Sequence, residues 1–433
     1  MGTVCGGDGF CAVDDLNERC TLWPDDLSLP IDPEQTILFG TLFDHSLETH
    51  TGRYRSAELA LSQANQNGGL DGVEFAAMHC DNQEGLDDGL TKDEATVELG
   101  LWMSDNIGIN AIVGPSSSSR TEATYNALVG MDTLLISPSA TSPSLTDLDG
   151  LSASNQEPGL LWRTAPPDSL QGKVIAEDMI SRESNTVSVI YQTGAYGEGL
   201  ETVFTSEFEG RGGVSNGFPF TSDADRSDAI INAIADGTDE VLFISSDAED
   251  VSAFLNSAAL LDGYLKMPIF LTDSARNADV LANAEGASSL FEQIRGTAPA
   301  TPSGAVYDAF QVSYASEYAG EDVSVYSYTA HAFDAAWMLA YGAVWATYQE
   351  GEISATGIAR GLRKLSLGEE KEVRPSFWNT IKANLAEGQS IDITGASGSL
   401  DFDSTTEETT APIDVWQITK TGDDFEVIDT ITP

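Results

Sequence analysis

The sequence predicts an α/β protein of two doubly wound lobes, each a parallel sheet with helices on both faces. Three observations lead there. At 433 residues the chain is too long for one core, and its length suggests two or three domains. Short apolar runs alternate with helix-like segments over most of the chain, and βα alternation implies parallel sheets covered on both sides. Two consecutive apolar runs, Ala111–Val113 and Thr133–Ile136, each break into a hydroxyl-rich loop. Both loops then lie at the carboxyl ends of their strands, the edge where open α/β sheets bind ligands.

Taken in order, residues 1–33 are rich in Gly, Asp and Cys, include Pro24, Pro30 and Pro33, and show no periodic pattern. They read as an irregular lead-in held by disulfides. Ile37–Gly40 is the first strand, followed by a polar loop through Asp44, His45 and Ser46. Tyr54, Ala57, Leu61 and Ala64 recur at helical spacing, and Asn67-Gly68-Gly69 ends that helix. Val73–Met78 is the second strand, and an acidic loop and a helix through Trp102 follow it.

The stretch from Gly114 to Asp147 organises the rest. Four serines, Ser116 to Ser119, open a helix that runs past Tyr125 and Leu128 to the next strand, and the loop Ser137 to Pro143 follows. Serines at a helix start leave hydroxyls and backbone N–H groups free to hold an anion. Each loop alone could be an ordinary polar connection. Two of them on one sheet edge make a binding surface the better reading.

Pro166-Pro167 stops regular structure, and Asp168 is of the type that caps a new helix, so Leu161 to Gly172 reads as a first crossing between lobes. Strands follow at Val187–Tyr191, Val241–Ile244 and Pro268–Leu271, with helices at about 199–210, 225–236 and 248–260 between them. Arg295 to Pro302 reads as a second crossing, and helices near 303–319 and 327–348 return to the first lobe. Gly398–Asp403 and Val415–Thr419 alternate as strands do, and Thr421–Asp424 is the turn into Phe425–Ile428.

Composition narrows the function. Twenty Lys and Arg stand against 69 Asp and Glu, a formal net charge of −49, which repels nucleic acid and anionic membrane. The acids are spread along the chain, so they form a solvated surface rather than a disordered tail. We expect a host in salty water, where screening makes such self-repulsion tolerable. The melting temperature should rise from low to seawater-like salt, and a flat profile would count against that setting. No apolar run approaches the length of a membrane span. Met1-Gly2-Thr3-Val4 has neither the charged start nor the apolar core of a signal peptide, as would also be the case after removal of a leader. Cys5, Cys11, Cys20 and Cys80 form no Cys-x-x-Cys pair, so no zinc site is expected. Their even number suggests disulfides and an oxidising compartment, and four cysteines permit three pairings.

Catalytic patterns are missing, with neither Gly-x-Ser-x-Gly nor His-Glu-x-x-His in the chain. His45, His50, His79 and His331 are scattered; His45 and His50 lie near a ligand-side loop but read mainly as solvated loop residues. Gly194 to Gly199 lacks nucleotide-binding spacing, and the acidic runs lack a calcium-loop register.

GPSSSSRTEA at 114–123, ISPSATSPSLTD at 136–147 and AELALSQANQNGGLDG at 57–72 resemble the Leu/Ile/Val-binding family of bacterial ABC-transporter solute receptors. The ligand domains of metabotropic glutamate receptors share that fold and pattern. The resemblance covers about residues 35 to 430; it is specific over 110–200 and loose after 300. It implies the type I periplasmic binding fold with three hinge crossings. The lead-in is then 1–33, the first lobe 34–166 plus 299–391, and the second lobe 167–298 plus 392–433.

It also implies a site for an amino acid. Ser118 would give a hydroxyl and an N–H to the ligand carboxylate, with Ser116 and Ser117 on the same loop. Thr141 would hold both charged groups, the Ser139 carbonyl would accept from the ammonium, and Ala140 lies between them. Tyr196 would close from the second lobe, and Asp273 would pair with the ammonium. Asp168 is either a second carboxylate at the site or a helix cap. No cofactor, metal or catalytic residue is expected. The implied partners are a small-molecule ligand and an ABC permease, with no nucleic acid. The chain would act as a periplasmic or extracellular monomer, with a lipid anchor ahead of Met1 left open. A ligand-sensing receptor without a transporter would use the same site, whereas an enzyme is disfavoured by the missing motifs. Two departures stand out. Ser245-Ser246-Asp247 replaces the family's aromatics, so a branched-chain ligand is not assumed. Ser117 stands where the family often has a cysteine bonded to one after the second strand, the position of Cys80. The expected pairing is therefore Cys80 with Cys20, leaving Cys5 with Cys11.

Overall fold

The apolar runs of the sequence become buried strands of two parallel-dominated sheets in a computed structural model that describes residues 3–5, 11–13, 15–146, 148–150, 154–235 and 237–433. The chain opens with strands β1 (Thr3–Cys5), β2 (Cys11–Val13), β3 (Cys20–Trp23) and β4 (Thr36–Phe43), then helix α1 (Glu48–Gln66) and β5 (Glu74–Asp81). Next come α2 (Lys92–Trp102), β6 (Ala111–Val113), α3 (Ser118–Leu128), β7 (Leu134–Ser137), β8 (Leu161–Arg163) and α4 (Ser169–Ser181). The middle holds β9 (Thr186–Gln192), α5 (Ala195–Gly210), β10 (Val214–Phe220), α6 (Asp223–Ala235), β11 (Glu240–Ile244) and α7 (Ala248–Ala258). After these lie β12 (Ile269–Leu271), α8 (Ala278–Asn283), β13 (Ile294–Pro299), α9 (Ala305–Glu317), α10 (Thr329–Trp345) and α11 (Ala355–Leu362). The chain ends with β14 (Glu369–Glu372), α12 (Trp378–Ala386), β15 (Ile391–Thr394), β16 (Ile413–Ile418) and β17 (Phe425–Ile431).

Two compact units result. The first comprises Met1–Ala140, Thr146–Ala165 and Pro302–Thr410; the second comprises Thr141–Leu145, Pro166–Thr301 and Ala411–Pro433. The first unit carries a six-stranded sheet of order β3-β5-β4-β6-β7-β8, parallel except at its β3 edge. Its core gathers Trp162, Trp337, Trp378 and Phe75. Helix α10 is buried along Thr329 to Val344, as its Ala-rich sequence allows: small side chains let neighbours approach on every side. The second unit has the order β10-β9-β11-β12-β13-β16-β17, with antiparallel β16 and β17 added at one edge of a parallel sheet.

The lead-in differs from its irregular expectation. Cys20–Trp23 forms an antiparallel edge strand on β5, with Cys20 directly opposite Cys80, and the two are joined by a disulfide. A strand of four residues followed by Pro24 is too short to show periodicity, which is why it reads as loop. The side chains of Cys5 and Cys11, and with them the expected bond, lie outside the described residues; the β1–β2 ladder sets the two backbones in register.

Residues 392–410, placed with the second lobe on sequence, stand in the first unit. Three groups tie them there. The buried Asp334 carboxylate on α10 accepts from Ala396 N at 2.8 Å, Ser397 N at 2.7 Å and Ser397 Oγ at 2.5 Å. Glu407 pairs with Arg363 and accepts from Gly159 N at 2.7 Å, while Glu408 pairs with the buried Arg163. The turn held by Asp334 also explains why Gly398–Asp403 is not the expected strand; only Ser399 makes an isolated bridge, to Thr394.

Burial pushes the Asp334 carboxyl up to about 6 in spite of those donors. An unfolded aspartate titrates near 3.9, so the native state holds the proton more tightly. The stability this provides is full below the unfolded value and is lost as pH rises through about 6. Between pH 7 and pH 5 wild type should gain about 1 kcal/mol relative to Asp334→Asn. Urea unfolding of both proteins at the two pH values checks this, and an unchanged difference would refute it.

Candidate functional site

In the first unit, β6 ends at Val113, and the chain turns at Gly114 with φ 112°. A Cβ there would lie 2.7 Å from the Leu42 carbonyl oxygen, so only glycine fits this close approach. The turn delivers the serines to the start of α3 in three different roles. Ser117 is the helix cap, its hydroxyl accepting from Arg120 N at 3.4 Å and from Arg120 Nη1 at 3.3 Å. Ser118 is the first helical residue and is buried, with its N–H in the first turn, where backbone donors and the helix dipole favour an anion. Ser116 is half-buried and accepts from Arg53 Nη1 at 2.9 Å.

The loop after β7 is stitched to this one. The Ser137 hydroxyl donates to the Pro115 carbonyl at 2.6 Å and accepts from Ala140 N at 3.0 Å. Ser139 Oγ donates to the Ser116 carbonyl at 2.9 Å and accepts from Arg53 Nη1 at 3.1 Å. Ala140 is buried, and its carbonyl accepts from Arg163 Nη1 at 3.3 Å.

Arg53, in the second turn of α1, is therefore central to the serine loops, and sequence reasoning missed it. Its Nε and Nη2 donate to the Ser327 carbonyl and hydroxyl, each at 3.1 Å, and the guanidinium lies 5.3 Å from the Tyr328 ring centroid. The available signal was weak: one of few basic residues, inside an apolar helical pattern. His331 and His50 both titrate below their ordinary range, chiefly through burial and then through the Arg53 charge; His331 is pushed down to about 3. Burial and the Arg53 charge thus favour the neutral imidazole at both positions. The His45 ring lies tilted against Tyr54 with centroids 4.7 Å apart, and both His45 and His50 are half-buried, so neither is the solvated loop residue the sequence suggests.

The second unit gathers the acidic candidates. Tyr196, in the first turn of α5, is buried and donates its hydroxyl to Asp273, which follows the strand β12. Burial, and then the charges of Asp273 and Asp168, hold the phenol well above its ordinary pKa. Asp168 is also buried, and its N–H donates to the Thr141 carbonyl at 2.8 Å. It occupies the capping position of α4, yet its side chain makes no cap hydrogen bond. Four of the expected residues (Thr141, Asp168, Tyr196 and Asp273) thus share one neighbourhood. Nearby, Gln192 at the end of β9 accepts from Ser246 N at 3.1 Å and donates to Asp247 at 2.9 Å. The loop after β11 is therefore a hydrogen-bonded polar surface and not an apolar wall.

Asp168→Ala should separate two roles. A carboxylate used on a ligand would show a large affinity loss with little change in melting. A cap would show a stability loss of about 1 kcal/mol with affinity intact.

Among the described residues no group of three or more His, Cys, Asp or Glu could hold a metal ion, and no helix is long and apolar enough to cross a membrane.

Known proteins resemble this chain in sequence and in fold. The family described as the receptor family ligand binding region matches residues 52–421. The leucine-, isoleucine-, valine-, threonine- and alanine-binding protein of Pseudomonas aeruginosa is 27% identical over 157 residues, 36% of this chain and only 38% of that relative's length. The chemotactic signal transduction system substrate-binding protein BasB of Halobacterium salinarum is 23% identical over 373 residues, covering 85% of this chain and 82% of BasB. Among solved structures, the leucine binding protein LivK of Thermotoga maritima superposes with a TM-score of 0.70 at 18% identity, over 92% of this chain and 99% of that one.

Proposed function

Because the chain belongs to the receptor family ligand binding region and has the type I periplasmic binding fold, we propose that it captures a small zwitterion, an amino acid, outside the cytoplasm and delivers it to an ABC permease. The family is one of ligand-binding proteins, and none of these residues is given a catalytic role. One observation carries the reading: the Tyr196 hydroxyl and the Asp273 carboxylate meet beside Asp168, an acceptor set suited to an ammonium. By the family resemblance, Ser118 would donate to the ligand carboxylate, Thr141 would hold both charged groups, and the Ser139 carbonyl would accept from the ammonium. Such proteins work by hinge closure, with the ligand desolvated in the closed state. An oxidising location is consistent with the Cys20–Cys80 disulfide. Delivery would involve a monomer, and a lipid anchor is compatible with it.

A second reading has its own support. The match to a chemotactic substrate-binding protein spans 85% of this chain, so the same site could report to a receptor instead of feeding a permease. Calorimetric titration with the twenty amino acids tests the binding reading, and no heat from any of them would overturn it. Uptake of the bound amino acid by membranes carrying a neighbouring permease would separate transport from sensing.

A further inference from the structure

Two buried polar side chains of the second unit have no task in the reading just given. Gln171, in the first turn of α4, is 0% exposed, and neither its Oε1 nor its Nε2 has a hydrogen-bond partner among the described residues. Thr297 on β13 is as deeply buried, and its Oγ1 has no such partner either. Buried amides and hydroxyls are nearly always hydrogen-bonded, because an unpaired one keeps the full cost of leaving water. We infer that Gln171 and Thr297 form the subsite for the ligand's side chain, and that this side chain ends in a neutral carboxamide, as in glutamine or asparagine. This rests on the proposed amino-acid capture and narrows it.

The backbone brings the two residues together. Asp178 lies about two turns beyond Gln171 on the same face of α4, and it pairs with Arg295 of β13 at 2.6 Å. Arg295 and Thr297 alternate onto one face of β13, so Thr297 also faces α4, nearer the carboxyl end of the strand. A short turn joins the end of α4 to the start of β9, and β9, β11, β12 and β13 run parallel. The first turn of α4 therefore stands at the carboxyl end of this sheet, over Thr297.

The proposed ammonium acceptors stand at the same end. Leu271 pairs with Gly296, so Thr272 and Thr297 follow side by side on β12 and β13. Thr272 lies beside the Tyr196 phenol, which donates to Asp273. An amino acid whose ammonium is held there has its side chain within reach of Gln171. The loops around it are polar as well: Ser274 Oγ donates to the Ser245 carbonyl at 2.5 Å, and Gln192 accepts from Ser246 N at 3.1 Å.

Gln171 itself selects the partner group. Its oxygen accepts and its nitrogen donates, so the complement must donate and accept in one plane, as a carboxamide does. A carboxylate only accepts and leaves Oε1 unmatched. An ammonium only donates and leaves Nε2 unmatched. An aliphatic group leaves both, and the Thr297 hydroxyl with them.

The test is calorimetry of wild type, Gln171→Met and Thr297→Val against glutamine, asparagine, glutamate, lysine, leucine and propionamide, with melting curves for each protein. Both substitutions keep the approximate shape and remove the polar atoms. Wild type should bind glutamine or asparagine at least roughly tenfold tighter than leucine, glutamate or lysine. Gln171→Met should weaken the carboxamide ligands by roughly tenfold or more while leucine changes by less than about threefold, and Thr297→Val should fall between. Equal wild-type affinity for glutamine and leucine overturns the inference while amino-acid capture stands. So does an equal loss for both in Gln171→Met together with a lower melting temperature, the signature of a structural amide. If no amino acid binds but propionamide does in a Gln171-dependent way, the amide contact stands and the zwitterion reading falls. Silence from every probe ends both. The wild-type selectivity decides the matter even if Gln171→Met fails to fold.

Discussion

Replacing Cys20 and Cys80 together by alanine is expected to lower the stability of the first unit by roughly 4 kcal/mol, the chain-entropy value for a closed loop of this length. The bond spans a sequence separation of 60 and joins directly opposed residues of β3 and β5. Both cysteines are buried, so alanine removes the cross-link without burying a hydroxyl. One neighbouring contact would survive: Arg19 Nη1 still donates to the Asp81 carbonyl at 3.0 Å and the Gln83 carbonyl at 2.8 Å. A single arginine leaves β3 as an edge strand of four residues, short enough to fray. The consequence should reach the ligand side, because the Asp81 carboxylate accepts from His45 N at 3.0 Å and so helps fix the loop leading into α1. Denaturant unfolding of wild type and the double variant measures the loss. A difference below about 1 kcal/mol would show that the edge strand holds without its cross-link.

The strands read most plainly from sequence were the interior parallel ones. Val241–Ile244 and Ala111–Val113 are buried throughout and appear as unbroken apolar runs, and Val187–Tyr191 is interrupted only by the buried Ser188. Edges were harder. β3 hides in a Pro-bounded lead-in, and β14, Glu369–Glu372, is an acidic run with no apolar face to betray it. The fate of 392–410 was invisible because three long-range acceptors, Asp334, Glu407 and Glu408, decide it, and none of them sits in a local pattern.

The candidate site divides along the same line. Hydroxyl loops after consecutive strands are local and legible, and the family pattern added Tyr196 and Asp273, which the structure places in contact. The roles of four adjacent serines were not legible, because a cap and its neighbours have the same composition; only backbone geometry makes Ser117 the cap. Arg53 was hidden for the opposite reason. Its partners are 63, 86 and 274 residues away in sequence, so its place is defined only when the chain folds.

Asp273→Ala is expected to cost about 2–5 kcal/mol of ligand binding, roughly thirtyfold to several-thousandfold in affinity. Two losses combine. In the proposed site the ligand ammonium, desolvated once bound, would lose its carboxylate partner. The buried Tyr196 hydroxyl loses its acceptor at the same time, and an unsatisfied buried hydroxyl carries its own penalty. Tyr196→Phe separates the two, since it keeps the carboxylate and removes only the hydroxyl; it should cost about 0.5–1.5 kcal/mol. Ser118→Ala removes one charge-assisted hydroxyl donor while the backbone N–H at the start of α3 remains, so about 1.5–3 kcal/mol is expected. Folding should survive the Asp273 change, because that residue is half-buried in a short turn after β12 rather than part of a core. Titration of the three variants with the amino acid that wild type binds, alongside their melting curves, gives the answer. If Asp273→Ala binds as tightly as wild type, the ammonium is held elsewhere and the acidic neighbourhood of Tyr196 is structural.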